Sequence, residues 1–287
     1  MEYEGQICRS PMERGSFMLP VSVGCSYNRC RFCMLFKHLT YRVLPLEQVE
    51  GELRRVSRAG GDPRRVFLGD GNAFALPAGR LLEILDLIHR YFPRCDTVNM
   101  DATVPSVLSK SDGELADLAR AGVRHLYLGI ESGLDDVLAL MDKDHNTVQA
   151  LEAIARLQKA GMVFDAHMMT GVAGHGRGLE DAAALARFYN RTRPGRIVNF
   201  SLFLHRQAPL YQMAEEGRFV PAGELENLEQ ARALLEGLEV PVEYDGFHDA
   251  IPFRVRGRLP HQRARMLEQL DEAIRLQRER PHLVALV

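Results

Sequence analysis

Gly24-Cys25-Ser26-Tyr27-Asn28-Arg29-Cys30-Arg31-Phe32-Cys33 places three of the chain's five cysteines within nine residues. Thiolates are soft ligands that suit zinc and iron–sulfur clusters. The spacing Cys-x4-Cys-x2-Cys lets one short loop fold three sulfurs around a centre. Three close cysteines cannot pair off among themselves as disulfides. Zinc wants a fourth Cys or His, and His38 is near enough in sequence to supply it. A [4Fe–4S] cluster normally takes four thiolates, so three leave one iron open, as a reactive metal site needs.

The apolar run at 17–23 directly before the loop suits a buried strand, so the cysteines follow the carboxyl end of the first strand. Downstream the pattern alternates. Helical spacing covers 46–59, 77–91, 112–121, 135–141, 147–160 and 179–192, and strand-like runs cover 65–68, 97–100, 125–128, 163–169 and 197–204. Six strand–helix alternations with short connections imply a parallel sheet in an α/β fold. Periodicity allows an open (β/α)6 barrel or a flat doubly wound sheet. After residue 205 the rhythm changes, with a helix at 224–238, a short strand at 240–244 and a final helix at 261–279. Residues 1–205 are read as the core and 206–287 as a small, mainly helical extension packed on it.

Polar residues just past strand ends form the site in barrel enzymes. Those positions hold Asp70 and Asn72, Asp101 and Thr103, Glu131 and Ser132, then His167, Thr170 and His205. In Gly69-Asp70-Gly71-Asn72 the glycines let backbone approach a ligand closely. The glycine-rich stretch Thr170 to Gly178 lacks the Gly-Lys-Ser/Thr ending of a phosphate-binding P-loop and reads as a flexible loop near the site. His167 and His175 are candidate proton donors, and His248 and Asp249 are candidates for the substrate side.

The cysteine loop resembles that of the radical S-adenosylmethionine (radical SAM) enzymes, whose usual spacing is Cys-x3-Cys-x2-Cys. Here the first interval is one residue longer, and Phe32 supplies the family's aromatic before the third cysteine. Tyr127-Leu128-Gly129-Ile130-Glu131-Ser132-Gly133 resembles the Gly-Ile-Glu-Ser-Gly element after the fourth strand of such enzymes. Met141 to Asn146 is similar to their Lys/Arg-Gly-His stretch, with Asp144 in place of Gly. Gly69 to Asn72 resembles a Gly-Gly-Glu-type segment that contacts the SAM amino group, with Asp70 for Glu. The resemblance spans roughly residues 18–205.

The resemblance implies a partial (β/α)6, TIM-like barrel. It implies a [4Fe–4S] cluster on Cys25, Cys30 and Cys33, with SAM on its open iron. It implies SAM contacts from Phe32, from Gly69, Asp70, Gly71 and Asn72, and from Asp101, Glu131, Ser132 and His167. It also implies an electron donor such as flavodoxin or ferredoxin. The expected activity is reductive cleavage of SAM to a 5′-deoxyadenosyl radical that abstracts hydrogen from a small organic substrate. Modification of RNA or peptide is the alternative within the family. A non-catalytic zinc or iron–sulfur protein is the alternative outside it.

Composition bounds these readings. Residues are 46% apolar and 26% charged, the balance of an ordinary globular chain. A net charge of −2 gives no sign of a broad nucleic-acid surface, so nucleic acid is not an expected partner. No apolar run approaches the ~18 residues of a membrane span, and Met1 to Glu4 lacks signal-peptide character. Clustered cysteines suit a reducing compartment, so the expected location is cytoplasmic. No second cysteine cluster appears, which disfavours a methylthiotransferase or an auxiliary-cluster enzyme.

Overall fold

The apolar run at 17–23 divides into two strands. β1 (Phe17–Pro20) pairs in parallel with β4 (Arg65–Gly69), while β2 (Ser22–Val23) pairs antiparallel with β3 (Arg42–Val43). Val21 lies between them, its N–H donating to the Gly69 carbonyl and its own carbonyl accepting from Leu44 N–H. In this computed structural model the described residues are 4, 8–248 and 252–279. Asp249, named above, lies outside them, as do residues 1–3.

The remaining strands are β5 (Thr97–Ala102), β6 (Val123–Glu131), β7 (Val163–Thr170), β8 (Arg196–Ser201), β9 (Val242–His248) and β10 (Phe253–Leu259). Among the described residues eight strands form one sheet in the order β1-β4-β5-β6-β7-β8-β9-β10. β1 and β10 are its edges, so the sheet is open. The fold is α/β with a mostly parallel sheet, as the alternation predicts. The near-continuous burial of Val66 to Gly69 and Val98 to Met100 is typical of parallel strands covered on both faces.

Two compact units are distinguished. The first comprises Met1–Asn28, Leu35–Leu128 and Glu152–Phe164; the second comprises Arg29–Met34, Gly129–Leu151 and Asp165–Val287.

In the first unit, helices Leu46–Arg58 and Ala78–Tyr91 bury Val49 and Leu53, and Leu81, Ile84, Leu85 and Ile88. Helix Asp112–Arg120 starts at a capping box in which Ser111 Oγ accepts from Glu114 N–H and the Glu114 carboxylate accepts from Ser111 N–H. A short helix, Val104–Leu108, is capped in the same way by Thr103 and Ser106 and was not expected from periodicity.

In the second unit, helix Gly178–Thr192 buries Ala182, Leu185 and Tyr189, and helix Glu224–Gly237 buries Leu228, Ala231 and Leu234. The extension is less purely helical than expected. β9 adds to β8 in parallel and β10 closes the edge antiparallel to β9, alongside helices Pro209–Glu215 and Arg263–Glu279. The strand expected at 240–244 begins at Val242 and runs on to His248. Residue 205 lies inside the second unit.

Candidate active site

Within the first unit, Cys25 follows β2 and Gly24, whose φ is +75°. Gly71, in the turn after β4, presses on the same backbone. A Cβ there would stand 2.7 Å from the Gly24 carbonyl oxygen and 2.9 Å from Cys25 Cα, and its φ is +48°. Only glycine meets both demands. The turn is tied down by Ser22, whose Oγ accepts from Asp70 N–H at 3.4 Å. Asn28 helps shape the loop, its Nδ2 donating to the Phe36 carbonyl at 2.8 Å.

Asp70, Asn72 and Asp101 share one chemical property. Each keeps its Oδ1 buried with no hydrogen-bond partner among the described residues. The amide of Asn72 is oriented by its Nδ2, which donates to Ser26 Oγ at 3.0 Å and Thr103 Oγ1 at 3.2 Å. Burial pushes the Asp70 carboxyl up to about 6, against backbone hydrogen bonds from Cys8 and Gly71. Burial, then the charges of Asp70 and Glu13, push Asp101 up to about 8. Glu13 is fully buried and accepts from Asn99 Nδ2 at 3.0 Å and Tyr127 OH at 2.8 Å. No motif in the sequence singles it out. Asp101 lies within β5 rather than past its end.

Within the second unit, the segment carrying Cys30, Phe32 and Cys33 is fastened to residues 140–142. Arg31 N–H donates to the Met141 carbonyl at 3.0 Å and Arg31 Nη1 to the Leu140 carbonyl at 2.8 Å. Arg29 pairs with Asp142 at 3.0 Å. One residue on, Lys143 Nζ lies 3.3 Å from Glu131 Oε1, and both side chains are buried. The same ammonium sits 5.8 Å from the Phe32 ring centre. Burial raises the Cys30 thiol to about 11, with Lys143 pulling it down. Burial would lower Lys143, but the charges of Glu131, Cys30 and Asp144 outweigh it and leave it raised.

Glu131 closes β6 in the left-handed region at φ +63°, a costly conformation for a residue with a side chain. A Cβ at Gly129 would press on the Glu131 carboxylate, so glycine there leaves that side chain its present position. Ser132 is engaged elsewhere, its Oγ donating to Asp181 Oδ1 at 2.6 Å and accepting from Leu134 N–H at 3.1 Å. His167 lies inside β7, not past its end. Burial and then Lys143 depress it to about 4, so its ring is neutral at pH 7. His175 is exposed and faces Glu226, with Nδ1 2.9 Å from Oε2.

The donor set fits the cofactors that the resemblance implies. Cys25, Cys30 and Cys33 are each partly exposed. Asp70, Asn72 and Asp101 each offer a buried oxygen acceptor without a donor among the described residues, and an amino group or hydroxyls of a nucleotide can supply one. Among the described residues no three His, Cys, Asp or Glu side chains are gathered closely enough to hold a metal ion by themselves.

Three comparisons bear on the family. The model described as "Radical SAM superfamily" matches residues 19–189, more than half of the chain. Among curated proteins, tRNA-2-methylthio-N(6)-dimethylallyladenosine synthase of Chlorobium luteolum is 29% identical over 168 residues, 56% of this chain and 37% of that protein. The chain thus spans well under half the length of the relatives it matches. Among solved structures, the Elp3 protein of the archaeon Methanocaldococcus infernus has a TM-score of 0.57 at 14% identity, covering 94% of this chain and 64% of that one. Methylornithine synthase (PylB) has a TM-score of 0.55 at 13% identity, covering 91% and 81%. At these identities the two structures show a shared fold. With the cysteine loop in place and the family model covering it, the chain belongs to the radical SAM superfamily, enzymes that use a [4Fe–4S] cluster and S-adenosylmethionine.

Proposed function

We propose that this chain cleaves SAM reductively and directs the resulting radical at a small organic substrate. The observation that carries this is the three-cysteine loop inside the matched region, which leaves one cluster position without a thiolate. The cluster, when bound, supplies the electron that splits SAM into methionine and a 5′-deoxyadenosyl radical, which takes hydrogen from the substrate. The protein's share is binding, orientation and exclusion of side reactions.

Cys25, Cys30 and Cys33 are the proposed ligands. Asp70, Asn72 and Asp101 offer acceptors to the amino group and hydroxyls of SAM, with Gly69 and Gly71 keeping that turn thin. Glu131 and Lys143 present one carboxylate and one ammonium, and Phe32 supplies an apolar face. His167 stays neutral. Ser132 acts by holding Asp181, which in turn fixes the Gly133 backbone through an N–H···Oδ1 bond of 2.9 Å. The electron comes from an outside donor, with a flavodoxin or ferredoxin as the proposed partner. Residues 1–205 are the proposed catalytic core and 206–287 the substrate-specific part.

RNA modification is the second reading, because the matched curated relatives are named for a modified tRNA adenosine. It runs against the expectation that nucleic acid is no partner. The net charge of −2 favours the small-molecule reading. Among the described residues no helix is long and apolar enough to cross a membrane.

Metal analysis after anaerobic reconstitution tests the centre: about four irons per chain are expected, and one zinc with no iron overturns it. Adding bulk tRNA tests the substrate class. An unchanged rate of 5′-deoxyadenosine formation supports the small molecule, and a marked rise supports RNA.

A further inference from the structure

Beyond residue 189, where the superfamily match ends, the second unit carries another group of buried polar atoms. β7, β8 and β9 run parallel, so His248, the last residue of β9, lies at the same carboxyl edge as Thr170, the last of β7. His248 Nδ1 is 2.5 Å from Oε1 of Glu224, the first residue of helix Glu224–Gly237. The other oxygen of that carboxylate, Oε2, accepts from Asn227 Nδ2 at 3.4 Å. Glu224, Asn227 and His248 are 3%, 5% and 5% exposed, so each is at least nine-tenths buried. The His248 ring also meets Phe253 edge-on at 5.5 Å, which fixes its plane.

One carboxylate therefore holds two side chains by one end each. Among the described residues the opposite ends, His248 Nε2 and Asn227 Oδ1, are buried without hydrogen-bond partners. Asn227 Oδ1 is aimed at Gly171, the residue after β7. A Cβ there would stand 2.5 Å from the oxygen, and the φ of +82° also demands glycine.

Buried polar atoms ordinarily find partners. Two leftover atoms on side chains tied to one carboxylate, at the edge where α/β enzymes bind substrates, mark a place for a ligand. A carboxylate only accepts, so Nδ1 carries the proton that it takes, and in the neutral ring Nε2 is then an acceptor. Asn227 Oδ1 is an acceptor too. Two acceptors ask for a ligand with hydroxyl or amino donors.

We propose that Glu224, Asn227 and His248 form the substrate side of the site, that they take a hydroxyl- or amine-bearing organic molecule, and that His248 is the base receiving its proton. This rests on the radical SAM reading above. The proton passes from the substrate O–H or N–H to Nε2, and the electron pair of that bond stays on the substrate heteroatom. The imidazolium so formed is held by Glu224, a charge arrangement suited to general base catalysis.

The test uses the full chain reconstituted with iron and sulfide, given SAM and dithionite, with the low-molecular-weight filtrate of a cell extract as the probe. Two readouts are taken: the increment in 5′-deoxyadenosine formation due to the filtrate, and the ring nitrogen signals of 15N-labelled histidine. The expected result is an increment in the wild type that falls about 100-fold in His248→Gln, the lower range for loss of a general base. Glutamine keeps a polar end but cannot take the proton. The filtrate also moves the His248 ring signal, assigned by its loss in that variant, while survival of the other histidine signals shows that the variant is folded. A His248→Gln increment equal to the wild type's overturns the proposal. So does a filtrate that moves neither the rate nor the ring signal. Absence of 5′-deoxyadenosine with SAM alone in the wild type contradicts the radical SAM reading instead, so the two failures are distinguishable.

Discussion

Lys143 and Glu131 form a buried ion pair at 3.3 Å, with side chains 8% and 10% exposed. Removing one partner of such a pair leaves an uncompensated buried charge. Lys143→Met is therefore expected to lower unfolding stability by about 3 kcal/mol. Glu131→Gln is expected to cost less than that, because the amide still accepts from the ammonium. Urea titrations of the two single variants and the double variant check this, and the double is expected to be less damaged than the sum of the singles.

Gly71 is the steric keystone of the first unit's half of the cysteine loop. Gly71→Ala forces a Cβ toward the Gly24 carbonyl and Cys25 on a backbone at φ +48°. The expected outcome is a folded protein with reduced iron uptake on reconstitution. Gly176→Ala is the control. It also has positive φ, +75°, but nothing lies within 4 Å of its added Cβ. It should pay only the backbone penalty of about 1–2 kcal/mol and take up iron normally. Iron content per folded chain decides between them.

Asp101 supplies a prediction with a sign. Its folded value of about 8 lies above the ordinary carboxyl value of 3.8. The folded state thus holds a proton that the unfolded state has released. The stability from this group is complete below the unfolded value and is lost as pH rises through the folded one. Between pH 4 and 8 the loss approaches ~1.4 kcal/mol per pH unit. Asp101→Asn removes this dependence. Its melting temperature is expected to gain on the wild type's steadily from pH 5 to pH 8, measured by circular dichroism without cofactors. A constant offset across that range would contradict the assignment.

Much of the strand–helix rhythm was legible because buried parallel strands read as short apolar runs, as at Val66 to Leu68 and Val98 to Met100. The cysteine loop was legible because few chemistries place soft ligands so densely. β10 was missed although Phe253, Val255 and Leu259 alternate with arginines at 254, 256 and 258. An edge strand with one charged face carries a period-2 signal that an apolar-run reading passes over. Glu13 was missed because local sequence cannot show that Asn99 and Tyr127 bring it two donors. The Glu224–His248 pair was equally hidden, since its members are 24 residues apart on different elements. The Ser132 hydroxyl is committed to Asp181, a partner 49 residues away that local sequence cannot show.

The central claim is that Cys25, Cys30 and Cys33 hold a cluster that activates SAM. The most direct measurement is 5′-deoxyadenosine formed on adding dithionite and SAM to the anaerobically reconstituted chain, compared with Cys30→Ala treated identically. The account predicts formation by the wild type and none above background by the variant. Equal formation by both, or none by an iron-loaded wild type, would contradict it.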